Sequence, residues 1–373
     1  MASPLGTDRA HAGTPREQYA LAATEGRRRP YADLTDTLGS DDYASQMAPT
    51  SAERYSVAQA STSTATPPST ALRSTRADWL LFAVLGAIWG SSFLFIKIGV
   101  GYFGPFELVS FRLLFGATTL AAIVRIAGEP LPRDRGTIGK LLVLAVFNVA
   151  IPFSLITWGE LSISSGTAAI LNATVPLFTM CIAVIAIGEA FTAPRLVGLA
   201  AGFIGVMVVV SRNAGSGNIA GELAVAGAAC SYAFSNVYAR RHLTHLRPMI
   251  IAIGQVGLAL PIVAAAALAV EHPWTVPLRP EPILATLWLG ALGSAVAYLI
   301  SFRLLQRWDA TRASLVTYLL PIVGVTLGAV ILGEQVDARV VLGTALIVGG
   351  VATVNLPGLR LRGLGTARPP AEA

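Results

Sequence analysis

The sequence predicts an all-α integral membrane protein with ten transmembrane helices, arranged as two inverted five-helix repeats. Three observations carry this expectation: a composition too apolar for water, ten apolar runs of spanning length, and a second half that aligns on the first. Of 373 residues, 54% are hydrophobic and only 13% charged, and the mean hydropathy is +0.63. Soluble domains carry about 25% charged residues. Two cysteines exclude a disulfide scaffold and lack metal-ligand spacing.

The apolar runs begin at Trp79 and cover 79–99, 106–126, 138–157, 163–187, 194–211, 220–239, 249–270, 282–304, 310–332 and 339–356. Each is long enough to cross a hydrocarbon core of about 30 Å as a helix. Helices are required because every backbone N–H and C=O must be satisfied without water, and barrel strands would be shorter with alternating polarity. Loop residues separate the runs, as at Gly104-Pro105, 129–136 and 212–218. Residues 1–78 differ: they are rich in Ser, Thr, Ala, Pro and charge, without periodicity. They are expected to form a disordered cytoplasmic tail, with neither a secretory h-region nor the acid-poor character of a transit peptide. Residues 357–373 are read as a second cytoplasmic tail.

With the amino terminus placed inside, sixteen Lys/Arg from Arg73 onward fall on the inner side and three on the outer. This is a positive-inside pattern. The basic balance therefore reports topology, placing both termini in the cytoplasm, and predicts no nucleic-acid partner.

A shift of 145 residues lays 166–206 over 311–351, matching Pro176 with Pro321, Gly188-Glu189 with Gly333-Glu334, and Gly198 with Gly343. Five helices per unit make the units opposite in orientation, covering 79–211 and 220–356. Secondary transporters commonly use such inverted repeats, with a site near the midplane between them.

The chain resembles the drug/metabolite transporter superfamily, specifically its EamA-type ten-helix members. The resemblance rests on Trp89-Gly90-Ser91-Ser92-Phe93, on Pro105 to Arg112 (PFELVSFR), on Pro176 to Glu189, on Tyr232 to Arg241 (YAFSNVYARR) and on Pro321 to Glu334. It covers about residues 79–356. It implies export or exchange of small metabolites by alternating access without a prosthetic group. It also implies a central cavity among helices 1, 3, 4, 6, 8 and 9, with helices 5 and 10 peripheral.

Polar and aromatic residues near midspan are the candidate substrate contacts: Trp89, Ser91, Ser92, Asn148, Trp158, Asn172, Thr174, Tyr232, Asn236, Tyr298 and Tyr318. Singly, each could equally be interhelical glue worth about 0.6 kcal/mol; as a set they point to a wet cavity. Lys97, Glu107 and Arg112 are read as boundary residues that snorkel and pair, with a gate or a carboxylate-binding role for Arg112 as the alternative. Glu189 and Glu334 are expected to fix turns or form loop ion pairs. Pro176 and Pro321 are candidate paired hinges. The Gly86/Gly90 and Gly198/Gly202 spacings are assigned to packing and set no oligomeric state.

No nucleotide-binding, metal-protease or clustered-carboxylate motif is present in the sequence. The expectation is a gradient-driven exporter of a small neutral or zwitterionic metabolite, with no cofactor and with substrate and lipid bilayer as partners. Facilitated uptake or exchange is the first alternative, and a lipid-modifying membrane enzyme the second.

Overall fold

The computed structural model describes residues 75–187, 192–211, 219–271, 279–308 and 315–355. Within these the chain is helical with no strand, and ten rods follow one another. They are α1 (Arg76–Gly99), α2 (Pro105–Ile126), α3 (Arg135–Ala145, Val146–Ala150 and Ile151–Gly159), α4 (Ser165–Asn172 and Val175–Ile187) and α5 (Ala193–Ser211). The second five are α6 (Ile219–His242), α7 (Pro248–Val270), α8 (Pro280–Leu287, Trp288–Val296 and Ala297–Arg307), α9 (Val316–Leu332) and α10 (Ala338–Asn355). Seven combine the length and apolar character needed to cross a bilayer. The other three differ from the uniform set expected: α9 and α10 are shorter, and α6 carries Glu222, Arg240 and Arg241.

Local chemistry sets the helix ends. Thr75, Asp134 and Ser164 accept hydrogen bonds from N–H groups in the first turns of α1, α3 and α4, as small oxygen-bearing side chains do at N-caps. The capping box of Thr75 and Asp78 starts α1 at Arg76, three residues earlier than expected. Asp78 therefore belongs to the bundle rather than the tail. It is buried and pairs with Arg307 of α8 at 3.0 Å. At the far end of α9, Gly333 adopts φ +67, a left-handed closure that glycine takes without steric cost.

The order of contacts proves the inversion. Gly198 of α5 meets Gly350 of α10, and Gly205 meets Gly343. As one number rises the other falls, so the two helices run antiparallel. The same holds for α4 and α9, where Ser165 lies by Gly328 and Ala169 by Gly324. It holds again for α2 and α7, where Phe106 lies by Glu271 and Glu129 by Arg247. The helices packed together also exchange under the repeat: α1 on α9 answers α6 on α4, and α3 on α6 answers α8 on α1. Apolar clusters fill the spaces, one around Leu113, Val149, Phe153 and Val256, another around Phe93, Leu108, Ile156 and Leu289.

Glycines fix how closely α5 and α10 approach. A Cβ on Gly198 would stand 2.6 Å from the Gly350 carbonyl oxygen, and one on Gly350 would meet the Gly198 oxygen and, at 2.7 Å, the Gly202 nitrogen. Small residues permit such contact where no hydrophobic drive exists between helices. Gly350→Val should therefore cost about 1–3 kcal/mol of stability through overpacking. Gly349→Ala, with nothing within 4 Å of its new methyl, should be neutral or mildly stabilising. Thermal unfolding of the two variants in detergent checks this.

Candidate functional site

A cluster of buried polar groups, Arg112, Ser231, Ser235, Gln255 and Ser294, lies where α2 and α3 of the first repeat face α6, α7 and α8 of the second. Both α3 and α8 contain wide π-helical turns, at Val146–Ala150 and Trp288–Val296. Such turns often mark functional sites, and here the shift between repeats superposes them. Pro152 supplies part of the cause in α3, because it has no N–H to continue an α-helical ladder. Neither turn was foreseen from periodicity.

Arg112 is the central group. It is only 7% exposed, and its guanidinium carbon stands 3.7 Å from the centroid of the Phe153 ring. Its Nε–H donates to Ser294 Oγ at 3.1 Å, and Ser294 Oγ donates in turn to the Leu289 carbonyl. No described carboxylate lies within ion-pair distance of Arg112. This corrects the expectation of a snorkelling boundary residue: α1 and α2 are joined by a loop whose Phe103 folds inward, so Arg112, two turns into α2, lies inside the bundle. The expected pairing with Lys97 and Glu107 does not form either. Lys97 Nζ donates to the backbone carbonyls of Glu160 (2.5 Å) and Ile163 (2.8 Å). Glu107 accepts from the Gly104 N–H at the start of its own helix.

A second arm mirrors the first. Asn148 of α3 donates to Gln255 Oε1 of α7 at 2.8 Å and accepts from Ser235 of α6 at 2.7 Å. Counting from the prolines that open α2 and α7, Gln255 holds the place that Arg112 holds in the first repeat. One arm thus joins α2 to α8 and the other α7 to α3. Around them, Trp89 donates to the Gly293 carbonyl at 3.2 Å and meets the Tyr298 ring edge-on at 6.3 Å. Trp288 donates to Ser91 Oγ. The Ser91 and Ser92 hydroxyls both donate to the Ile88 carbonyl at 3.0 Å. Tyr232 and Tyr298 lie near enough to Arg112 to interact with its charge.

The structure thus assembles Trp89, Ser91, Ser92, Arg112, Asn148, Tyr232 and Tyr298. It leaves the other candidates elsewhere. Trp158 is 47% exposed and Asn236 is exposed. The face turned inward by α6 carries Ser231 and Ser235 instead, four residues apart and so on one side of the helix, while Asn236, one residue further on, is turned out. Thr174 spends its hydroxyl on the Leu171 carbonyl at the break in α4. Asn172 is buried on α4 with Oδ1 unpartnered and joins no hydrogen bond of the network. Tyr318 packs against the separate apolar cluster that contains Ile170, Leu177 and Val340. Pro176 follows that break in α4, whereas Pro321 sits inside an unbroken α9, so the two prolines do not shape their helices alike. Glu189 lies outside the described residues.

Carboxylates from one repeat close helix ends of the other. Glu334 accepts from the N–H groups of Ser165 (2.7 Å) and Gly166 (3.0 Å) at the start of α4. Glu271, just past α7, accepts from Phe106 (3.0 Å) and Glu107 (2.7 Å) at the start of α2. Unsatisfied N–H groups and the helix dipole make such ends natural carboxylate sites. Glu334 is therefore a cross-repeat cap rather than a loop ion pair. The space beside it is about 10 Å³, no larger than a single water needs. On the opposite face Glu129 pairs with Arg247 beside a groove of about 440 Å³ lined by Gly128, Pro132, His245 and Ile250.

Sequence reasoning also missed Glu160, which reads as a loop residue after Gly159. It is fully buried, and neither carboxylate oxygen has a hydrogen-bond partner among the described residues. Burial holds its carboxyl well above the usual carboxylate range, with Lys97 opposing and Glu334 adding to the effect.

Residues 78–211 and 219–356 each match the EamA-like transporter family. Among curated proteins, the inner membrane transporter YedA of Escherichia coli K12 is 30% identical over 74% of this chain and 89% of its own length. A protein of the same organism named a probable amino-acid metabolite efflux pump is 26% identical over 77% of this chain and 97% of its own. A transporter of Archaeoglobus fulgidus is 25% identical over 74% and 98%. One solved crystal structure, 20% identical with a TM-score of 0.57, covers 77% of this chain and all of its own, and shares the fold.

Asn148→Leu removes two cross-helix hydrogen bonds and should cost about 1–2 kcal/mol. Asn236→Leu, on the exposed side of α6, should stay within about 0.5 kcal/mol. Denaturant unfolding of the two variants in micelles distinguishes the inward residue from the outward one.

Proposed function

We propose that this chain, which belongs to the EamA-like transporter family, exports a small zwitterionic metabolite of the amino-acid type across the cell membrane. The chain is a multi-pass membrane transporter. The substrate class, direction and mechanism are our reading. The observation that carries it is Arg112: a buried guanidinium at the junction of the repeats, with one N–H committed to Ser294 and no described carboxylate within ion-pair distance. Burying an unpaired cation is costly, so retaining one argues for a partner that comes and goes. A guanidinium presents its remaining N–H groups in the fork that carboxylates fit. Phe153, Trp89, Tyr232 and Tyr298 surround it with apolar bodies and polar tips, suited to an ammonium or a side chain on the other end. The efflux pump among its relatives favours the same class. This narrows the expected neutral or zwitterionic substrate to the zwitterion.

Export follows the efflux pump among its relatives, and on the positive-inside reading the Glu129 face is cytoplasmic with both termini and the Glu334 face lies outside. In this arrangement the outer ends are capped across the repeats, and the groove beside Glu129 lies on the inner side. Rocking of one repeat against the other then exposes Arg112 alternately to each side.

The test uses inside-out membrane vesicles and a mixture of radiolabelled L-amino acids. Wild-type vesicles should accumulate at least one, and Arg112→Gln should weaken its apparent affinity by about thirtyfold or more, as loss of a buried charge partner does. Arg112→Lys should recover only part. Thermal stability of Arg112→Gln should equal or exceed wild type, because an uncompensated buried charge is removed. Unchanged affinity in Arg112→Gln would overturn the assignment.

A further inference from the structure

We propose that Glu160 is a proton-binding site linked to the gate, holding a proton while the Glu334 cap keeps its face shut and losing it to water when that face opens. The proposal rests on the transport reading for its purpose, but its geometry stands apart from the Arg112 site. Glu160 closes α3, one residue past Gly159, and Gly159 packs directly on Gly221 of α6. Five residues later the chain enters α4, whose first N–H groups Glu334 holds. The carboxyl is thus walled in by elements of both repeats.

The charged groups around it come from each of those walls. Lys97 reaches it from α1, but its ammonium is used on the carbonyls of Glu160 and Ile163 rather than on the carboxylate. Arg112 acts from α2 and Glu334 from the turn after α9. On α6 the neighbouring ionisable side chain is Glu222, also buried. No described donor reaches either oxygen of Glu160. A carboxylate in such a place would be a desolvated charge without hydrogen bonds, whereas the protonated acid is neutral and tolerates the site. Withdrawal of Glu334 from Ser165 and Gly166 would admit water, and COOH would then ionise, releasing its proton to solvent at that face. Closure reverses the step and takes one proton up.

The sign follows from this linkage. The closed form binds the proton more tightly than the open form, so closure is favoured at low pH and lost as pH rises through the raised value. Glu334 needs room for its carboxylate, and Gly328 supplies it: a Cβ there would meet Glu334 and stand 2.7 Å from Ser165 Oγ. Gly328→Ala therefore opens the cap without altering any charge.

Infrared spectroscopy of the full chain in proteoliposomes tests the site with the proton as the only ligand. At neutral pH the wild type should show the carbonyl stretch of an un-ionised carboxylic acid, which disappears as pH is raised. Glu160→Gln should remove that band; if this variant does not assemble, Glu160→Asp should shift its frequency. Gly328→Ala should move the titration midpoint down by about one pH unit, a tenfold loss of proton affinity. Absence of the band in wild type, its persistence unchanged in the Glu160 variants, or an unmoved midpoint in Gly328→Ala would each overturn the proposal. None of these readouts needs a transported substrate, so their failure leaves the Arg112 assignment standing, and loss of that assignment leaves them interpretable.

Discussion

Hydrocarbon offers no hydrogen bonds, so each polar group that enters it must find its partner within the chain. That constraint organises this protein from its ends to its centre. Thr75, Asp134 and Ser164 close helix starts locally. Where the local sequence provides no such residue, as at Pro105, a carboxylate arrives from the other repeat. The helix ends are therefore not independent of one another: satisfying α2 requires α7, and satisfying α4 requires the turn after α9. Stability and the relative placement of the two halves are set by the same bonds.

The same constraint explains which polar side chains can be read as functional. Most hydroxyls on these helices simply return to a carbonyl one turn back, as Ser92, Thr174 and Thr344 do. Such bonds are local and leave no chemistry over. Arg112 and Glu160 are different because the chain does not fully answer them. A guanidinium with one committed N–H and a carboxyl with no donor are both incomplete in this conformation, and they lie at different places with opposite needs. One suits an anion, the other a proton.

Helix number and the inversion of the repeats were legible in the sequence, because run length, prolines, glycines and loop charges all act locally or along one helix. Helix starts, by contrast, shifted by three residues at α1 and six at α9, where capping and packing decide. Tyr232 with Ser91 and Asn148 could be picked as lone polar residues in apolar runs. Their neighbours Gln255 and Ser294 fit the same description yet were passed over. The errors share a cause. Depth of Arg112 depends on how the loop at Phe103 folds, and exposure of Asn236 rather than Ser235 depends on the rotation of α6. Glu160 follows a Trp-Gly pair that looks like the beginning of a loop; only tertiary packing turns it inward. Distance from a helix end is a poor measure of burial when neighbouring helices and loops overhang it.

The two copies no longer carry the same head group at matched positions, since α2 has an arginine where α7 has a glutamine. If Arg112 binds cargo as proposed, only one of the two halves offers it a cation, since the matching amide of Gln255 is already bonded to Asn148. A molecule with unlike ends would then be held one way round, and a symmetric diacid would gain no second handhold.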